Sequence, residues 1–176
     1  MIKKIRIVLV IVFLFSQGRI YAAQDEIQAD AVASVVVGTA FSLNLDKTSL
    51  DFGLLNPGER IELYSAGYYH QLTGLSNNKK NWVLKIAMPA DFAGPGGALM
   101  SKASFKWQLF WTNGSGIKKE GWEGLGDDPQ VIYTSGPADS QGEEIYIQLR
   151  YALDVPENIP SGNYSTILVY TMTETI

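Results

Sequence analysis

The 176-residue chain predicts an all-β fold. Its 17 glycines and 7 prolines, with asparagine and aspartate, interrupt it at short intervals, and the runs between them alternate apolar and polar residues. Such alternation is typical of strands that bury one face. Apolar residues do not recur three and four apart over a long window, so no helix is predicted beyond the N-terminus. Turn signals recur at intervals of about ten residues, and the connections between the predicted strands are too short for helical crossovers. Together these features predict a two-sheet antiparallel sandwich of immunoglobulin type with eight or nine strands.

Residues 1–23 have the three-part layout of a secretory signal peptide. A basic head is followed by the uncharged apolar run 7–15, and Ala22 and Ala23 end the segment on small side chains. The apolar run is about half of the roughly 20 residues that a membrane-spanning helix needs. The sequence therefore predicts export, with no integral membrane segment after cleavage.

Cleavage is predicted near Ala23. Tyr21 is bulky for a position close to a cleavage site, so a cut after Gly18 is an alternative. Residues 24–176 are then predicted to form a single β-sandwich domain that is secreted, at the cell surface or in the periplasm.

The charge of the mature chain limits the classes of partner. Cleavage removes four of the 14 basic residues and none of the 18 acidic ones, which leaves ten basic against 18 acidic residues, a net charge of −8. An acidic domain without a Lys/Arg cluster argues against nucleic acid and anionic lipid as partners. The absence of cysteine excludes disulfides, thiol catalysis and zinc held by cysteine.

The first half of the chain predicts short strands separated by turns. The pattern places them at Val32 to Val37, Phe41 to Leu45, Leu50 to Phe52, Ile61 to Tyr64 and Tyr68 to Leu72. A turn is predicted at Pro57-Gly58, and the polar tract that begins at Ser76 is predicted to end the last of these strands.

The second half predicts three strands that each place one apolar face on a common core. The predicted core residues are Trp82, Leu84, Ile86 and Met88, then Phe105, Trp107, Leu109 and Trp111, then Ile145, Ile147, Leu149, Tyr151 and Leu153. The final run, Tyr164 to Met172, is apolar on both faces. It is predicted to be central and covered on both sides, the alternative being that one face meets a partner.

Two longer irregular stretches are predicted to be surface loops. They are the glycine-rich residues 92–98 and residues 113–129.

Two segments resemble known exported bacterial domains. Leu50-Asp51-Phe52-Gly53 with Asn56-Pro57-Gly58-Glu59 resembles a strand–turn signature of bacterial immunoglobulin-like surface and periplasmic domains. Pro160-Ser161-Gly162-Asn163-Tyr164-Ser165-Thr166 resembles the hairpin that ends spore-coat-U-like, pilin-like and WxL-type cell-wall domains. The paired cysteines of usher-type pilins are missing, and Trp82-Val83-Leu84 only approximates a WxL tripeptide. The resemblance therefore implies a broad class of exported bacterial surface or assembly proteins.

No catalytic residue is predicted, and the chain is expected not to be an enzyme. His70 is the single histidine, and no Gly-x-Ser-x-Gly elbow accompanies it. A glycosidase that uses loop carboxylates such as Asp127 and Asp128 is the least favoured alternative.

No cofactor and no metal are predicted. Asp127, Asp128 and Asp139 are weak calcium candidates because they lie in or near loops, but they lack the ordered spacing of a calcium loop. Solvated turns are the favoured interpretation of all three.

Trp122 is the first candidate for contact with a ligand. It lies in Gly121-Trp122-Glu123-Gly124, where no strand face would hide it, the alternative being that it closes one end of the fold. Tyr146, on an outward strand face, is a weaker candidate. Exposed aromatic rings commonly hold sugars, so a polysaccharide is the ligand considered.

Residues 24–40 precede the compact part of the domain and become β-branched toward their end. They are predicted either to pair within their own chain as an edge strand or to add themselves to the sheet edge of a neighbour. The sequence as a whole predicts a secreted, non-enzymatic structural or adhesive protein of the bacterial cell envelope, with a protein partner or self-assembly at the surface, pilin-like in the second case. A carbohydrate-binding module is the alternative.

Overall fold

The computed structural model describes residues 34–63 and 69–175. The predicted signal peptide and residues 24–33 of the predicted extension lie outside these residues. The chain divides into two compact units at Val36, and every strand below lies in the second, Val37–Ile176.

The described residues form twelve strands, and all sheet pairing among them is antiparallel. The strands are β1 (Phe41–Leu45), β2 (Arg60–Leu63), β3 (His70–Ser76), β4 (Trp82–Ala87), β5 (Phe92–Ala93), β6 (Leu99–Met100), β7 (Phe105–Thr112), β8 (Ile117–Lys118), β9 (Glu123–Gly124), β10 (Gln130–Thr134), β11 (Glu144–Asp154) and β12 (Val169–Glu174). The all-β prediction is confirmed. The predicted number of eight or nine strands is not, and the immunoglobulin-type arrangement stays a prediction.

Two main sheets carry the fold. The larger has the order β1-β3-β11-β7-β9, and β2 also pairs with β11, beyond the end of β3. The smaller has the order β12-β4-β10-β8, and β5 and β6 form a separate hairpin. Both β1 and β12 are therefore edge strands.

The two main sheets share one apolar core. All predicted core residues of β4 and β11 are buried, as are Phe105, Trp107 and Leu109 of β7. The sheets approach closely at Gly74 of β3, where an added Cβ would lie 3.3 Å from Trp82 Cη2 and 3.5 Å from Met172 Sδ. A side chain at this position would require the Trp82 ring to move by a few tenths of an ångström, so the close approach favours a glycine inside this strand.

Trp111 was predicted to face the core, and this prediction is wrong. The pairing of β7 with β11 shifts at this point, because Trp111 lies opposite Gln148 while Leu109 lies opposite Leu149. The extra residue, Phe110, forms a β-bulge that breaks the alternation. Phe110 and Trp111 are consequently 46% and 45% exposed.

Three other strand predictions are also corrected. Residues 34–37, the described part of the strand predicted at Val32 to Val37, lie in no strand. Residues 46–59 form no strand, so Leu50 and Phe52 lie in a loop, from which both still pack against the core. The final run enters a sheet only at Val169, and it lies at an edge rather than in the centre. Ile167 and Val169 are exposed, so one face of this run is uncovered among the described residues.

The predicted loops contain short pairings that sequence patterns do not reveal. Residues 92–98 belong to the β5–β6 hairpin, and residues 113–129 contain β8 and β9. These four strands have two residues each, and together with β10, which no predicted strand covered, they raise the strand number. The turn predicted at Pro57-Gly58 is present, closed by the Glu59 N–H, which donates to the Asn56 carbonyl at 3.1 Å.

The helices in the described part of the chain are three short 3-10 turns, at Pro95–Gly97, Lys102–Ser104 and Pro137–Ser140. None of them has the length and apolarity that crossing a membrane requires.

Candidate functional site

The two edge strands lie on the same side of the molecule. β1 pairs with β3, and Gly74 of β3 faces Met172 of β12 across the core. Within the described residues, no strand pairs with the outer edge of either β1 or β12. Two sheet edges therefore stand side by side.

The outer edge of β1 presents unused backbone groups. Two hydrogen bonds flank the strand. The Asp46 N–H donates to the Gln71 carbonyl at 3.0 Å, and the Asn77 N–H donates to the Ala40 carbonyl at 3.1 Å. They fix which residues of β1 bond to β3. Because bonding alternates along an antiparallel pair, the N–H and C=O groups of Phe41, Leu43 and Leu45 point away from β3.

The same reasoning applies to β12. The Thr175 N–H donates to the Asn81 carbonyl at 2.8 Å, next to the register that pairs Glu174 with Trp82. The backbone groups of Tyr170, Met172 and Glu174 therefore point away from β4. Such rows of unsatisfied donors and acceptors are templates for another strand.

An apolar groove with a cavity volume of about 630 Å³ opens beside these edges. Its walls are the chain between Leu45 and Leu55 and the chain between Ile159 and Leu168, neither of which contains a strand. Its floor consists of buried apolar residues of both sheets and their connections, Met88, Phe92, Met100, Phe105 and Leu153. The groove exists because β1 pairs only with Leu72–Ser76 of β3. No strand therefore extends the line of β1 alongside β2.

The inner face of β1 is incompletely covered. Phe41, Leu43 and Leu45 share the face that points to the core, and Leu43 is partly buried there. Phe41 and Leu45 are nevertheless 40% and 41% exposed. A further strand beside β1 would cover them.

A buried polar cluster lies at one end of the groove. His70 Nδ1 is 2.8 Å from the Tyr151 hydroxyl, which is 2.6 Å from the Tyr170 hydroxyl. His70 Nε2 has no hydrogen-bond partner among the described residues, and the nearest acidic oxygen, Asp46 Oδ1, is 3.7 Å away.

The electrostatics of this cluster favour a structural role. Burial lowers the pKa of His70, although the Asp46 carboxylate opposes this shift. Burial raises the pKa of Tyr151 and Tyr170 well above the ordinary phenol value. The histidine is therefore neutral and both phenols stay protonated at neutral pH, which leaves no activated nucleophile in the cluster.

Trp122, the first candidate for ligand contact, is partly buried. The Arg60 guanidinium carbon lies 5.8 Å from its ring centroid, and Arg60 also pairs with Glu62 at 2.7 Å and Asp154 at 2.9 Å. The ring is thus held against the end of β11, by a cation–π contact that sequence reasoning did not predict.

Tyr146 lies on the outward face of β11, as predicted. Its hydroxyl donates to Glu144 Oε2 at 2.5 Å, and this bond to a carboxylate raises the tyrosine pKa. Asp154, beside Arg60 and Trp122, is eight residues further along the same strand, roughly 27 Å away. The structure does not bring Trp122 and Tyr146 into one site.

The bulge on β7 instead supplies aromatic rings near Tyr146. Trp111 is opposite Gln148, two residues along from Tyr146, and the Arg150 guanidinium carbon lies 3.3 Å from the Phe110 ring centroid. No sequence pattern signalled this surface. Strand alternation places Phe110 and Trp111 on opposite faces, and the bulge that exposes both depends on the register with β11.

The three calcium candidates do not converge. Asp127 is exposed and pairs with Lys102 at 3.0 Å, Asp128 is exposed, and Asp139 is buried elsewhere. In residues 34–63 and 69–175, no group of three or more histidine, aspartate or glutamate side chains is placed to hold a metal ion.

Asp139 has a clear structural environment. Ser115 N–H and Oγ donate to its Oδ1 at 2.8 and 2.9 Å, while the Tyr133 hydroxyl and Gly136 N–H donate to its Oδ2 at 2.5 and 2.7 Å. Burial alone would raise its pKa, but these hydrogen bonds outweigh burial and lower it. The carboxylate joins the loop after β7 to β10 and the turn that follows it.

No protein-family model, no curated protein and no solved structure matches this chain.

Proposed function

We propose that this protein is a secreted, non-enzymatic structural or adhesive component of the bacterial cell envelope, built as an immunoglobulin-like sandwich, and that it binds a protein partner through the groove. The observation that carries this proposal is the combination of an apolar groove with two adjacent sheet edges whose backbone groups are unused.

The partner that fits such a site is an extended segment of polypeptide. Its main chain can bond to the outward groups of Phe41, Leu43 and Leu45 on β1, while alternate side chains enter the groove. Burial of the groove floor adds an apolar contribution that a bare sheet edge lacks. An uncovered edge is otherwise a risk for aggregation, which makes a partner at this place more plausible than solvent.

The polar cluster supports a binding role rather than a catalytic one. The groove ends on a neutral histidine and two protonated phenols, and the carboxylates considered for catalysis, Asp127 and Asp128, are not among its lining residues. The lining is largely apolar, which suits side chains of a peptide better than a reaction centre.

The experiment is cell fractionation of a bacterium that produces the full chain, followed by size analysis of the extracted protein. Leu45→Asp places a charge in the groove wall, and Ile117→Asp places the same charge on the exposed β8 strand as a control. We expect the wild type and the control in large envelope complexes and the Leu45→Asp protein as released monomer. Equal retention of all three would contradict the proposal.

A second function, polysaccharide binding, is favoured by the surface formed by Phe110, Trp111 and Tyr146. The aromatic rings lie on the outside of the larger sheet, where Gln148 Nε2 donates to Gln71 Oε1 at 3.1 Å and provides amide groups beside them. Stacking of sugars on such rings, with amides bonding to hydroxyls, is a common arrangement.

Titration with polysaccharides, followed by tryptophan fluorescence, tests this second function. If Trp111→Ala abolishes the quenching and Trp122→Ala does not, the polysaccharide binds at the sheet surface. If Trp122→Ala abolishes it and Trp111→Ala does not, the polysaccharide binds at the loop that contains Trp122. Absence of quenching with every polysaccharide would exclude both.

A further inference from the structure

The bulge on β7 places two neighbouring aromatic side chains on the outer face of the larger sheet. Trp111 lies opposite Gln148, whose side chain points outward from β11. Arg150, the next outward residue of β11, stacks on Phe110, with its guanidinium carbon 3.3 Å from the ring centroid. In a regular strand the two rings would point to opposite faces, and the bulge re-aims one of them. Both rings are exposed as a result.

Trp111 lies between a tyrosine and an arginine. Tyr146 and Arg150 are the outward residues on either side of Gln148 along β11. Each is therefore a diagonal neighbour of Trp111, and residues in such positions are roughly 7–8 Å apart. A sugar ring stacked on Trp111 would have the Gln148 amide beside it and the Arg150 guanidinium next to its edge.

The outer face around Trp111 carries cations, although the mature chain has a net charge of −8. The outward residues of β7, and those of β11 from Tyr146 to Ala152, include Lys106 and Arg150 and no carboxylate. Lys106 lies opposite Ala152, so it is a diagonal neighbour of Arg150. The two cations therefore form one side of the aromatic surface.

The carboxylates nearest to these cations on the flanking strands already have ion-pair partners. Glu62 and Asp154 both pair with Arg60, at 2.7 and 2.9 Å. Glu123 of β9 pairs with Lys119 at 3.3 Å. These pairs reduce the negative potential that the acidic side chains would otherwise impose on the outer face.

The remaining carboxylate of β11, Glu144, is too far away to oppose an anion at Arg150. It accepts a hydrogen bond from the Tyr146 hydroxyl and lies six residues from Arg150, roughly 20 Å along the strand. The Debye length at physiological ionic strength is about 8 Å. Repulsion from the net charge of the chain is screened over the same length, so the nearby cations dominate at the surface.

The Arg150 guanidinium fits a carboxylate. A guanidinium is planar and donates hydrogen bonds in the fork geometry that a carboxylate accepts. Its contact with Phe110 holds the group in place, which lowers the entropy cost of binding an anion. In a uronic acid the carboxyl carbon is attached directly to the sugar ring, so a ring on Trp111 would bring its carboxylate to the neighbouring Arg150.

We propose that this surface binds acidic polysaccharides, with a uronic-acid ring stacked on Trp111 and its carboxylate held by Arg150. Lys106 provides a second cation, which favours a chain of acidic sugars over a single one. This inference rests on the second proposed function, since it names the class of polysaccharide that the same surface takes.

The test compares two probes that share a sugar chain and differ in charge, oligogalacturonate and its methyl ester. Isothermal titration calorimetry measures their binding to the mature chain, residues 24–176. We expect saturable binding of the acid. The ester should bind about tenfold more weakly or worse, because it cannot form the charge-assisted hydrogen bonds to Arg150.

Three variants locate the site. Arg150→Gln should weaken binding of the acid by about tenfold and change binding of the ester by less than about twofold. Lys85→Gln is the matched control, because it removes the same charge from the outer face of the smaller sheet, where the alternate residues of β4 face the core. It should leave both affinities within about twofold. Trp111→Ala should abolish binding of both probes.

Three results would overturn the inference. Equal affinity for the acid and the ester would show that charge plays no part. Equal weakening of both probes by Arg150→Gln would mean that Arg150 only holds Phe110 in position. Equal weakening of the acid by Lys85→Gln and Arg150→Gln would mean that the chain attracts polyanions without a defined site. Dextran sulfate separates the kinds of anion, and tighter binding of it than of oligogalacturonate would also overturn the assignment to carboxylates.

Failure of this inference can be told apart from failure of the function on which it rests. If both probes bind equally and Trp111→Ala abolishes both, the surface takes sugars without regard to charge and only this inference fails. If no polysaccharide binds, acidic or neutral, the second function fails as well. Binding through the groove is independent of either result, because neither Trp111 nor Arg150 lines the groove.

Discussion

Asp139 shows how a single side chain can join three parts of a fold. Its two oxygens accept four hydrogen bonds, from Ser115, Tyr133 and Gly136, in a buried setting. A buried donor that loses its acceptor costs about 1–3 kcal/mol. Asp139 is therefore a stability determinant rather than a metal ligand.

Asp139→Asn should lower the free energy of unfolding by about 2–4 kcal/mol, because one carboxylate oxygen becomes an amide that faces donors. Urea unfolding of the mature chain measures this. Asp128→Asn, at an exposed position, should stay within about 0.5 kcal/mol of the wild type. Similar losses in both variants would refute the structural role.

The stabilisation by Asp139 should depend on pH. Its folded pKa is lowered below the unfolded value of about 3.9, so its contribution is complete above that value and is lost as pH falls through the folded pKa. The stability difference between the wild type and Asp139→Asn should therefore narrow below about pH 4. A difference that is constant from pH 6 to pH 2 would contradict this.

Sequence patterns identified the buried faces of strands better than the buried hydrogen bonds of polar side chains. Period-two alternation was enough for Leu84, Ile86, Ile147 and Leu149, because burial of a strand face depends on local spacing. The function of Asp139 was not predictable, since Ser115 is 24 residues away and meets it only in the folded molecule.

At the scale of the elements, strand pairing determined the structure in two places where the alternation of apolar and polar residues led to a wrong prediction. Residues 50–52 alternate as strands do, yet no neighbouring strand is in register with them, and they form a loop wall of the groove. The exposure of Trp111 follows from a shift in register against Gln148, which belongs to a strand more than thirty residues away. Neither long-range fact can be read from local spacing.

The pairing of β8 with β10 depends on a close backbone approach at Gly116. An added Cβ there would lie 2.0 Å from the Thr134 carbonyl oxygen. Gly116→Ala should therefore destabilise the fold by about 2–4 kcal/mol, since backbone atoms must move.

Gly126→Ala provides the matched control, because an added Cβ at Gly126 meets nothing within 4 Å. It should change the free energy of unfolding by less than about 1 kcal/mol. Thermal or urea unfolding of both variants compares them. Equal stability would mean that β8 does not pack against β10 as described.

At the scale of the whole second unit, Val37–Ile176, the two sheets are linked on one side and end in edge strands on the other. Residues 113–129, through β8 and β9, link the two sheets on one side, where Gln130 Nε2 donates to the Gly124 carbonyl at 2.7 Å. On the opposite side, β1 and β12 end their sheets beside the groove. The sequence predicted most of the longer strands, but the groove arises from the partial overlap of β1 with β3, which only the folded chain reveals.

Amide hydrogen exchange by NMR tests the central claim, that this open side accepts another strand. Exchange is run in the extracted envelope complex and in the monomer released from it, and both samples are read as dissociated monomer. The amides of Phe41, Leu43 and Leu45 should exchange at least about tenfold more slowly in the complex, while Ser42 and Asn44, already bonded to β3, serve as internal controls. Unchanged exchange at Phe41, Leu43 and Leu45 would contradict the account.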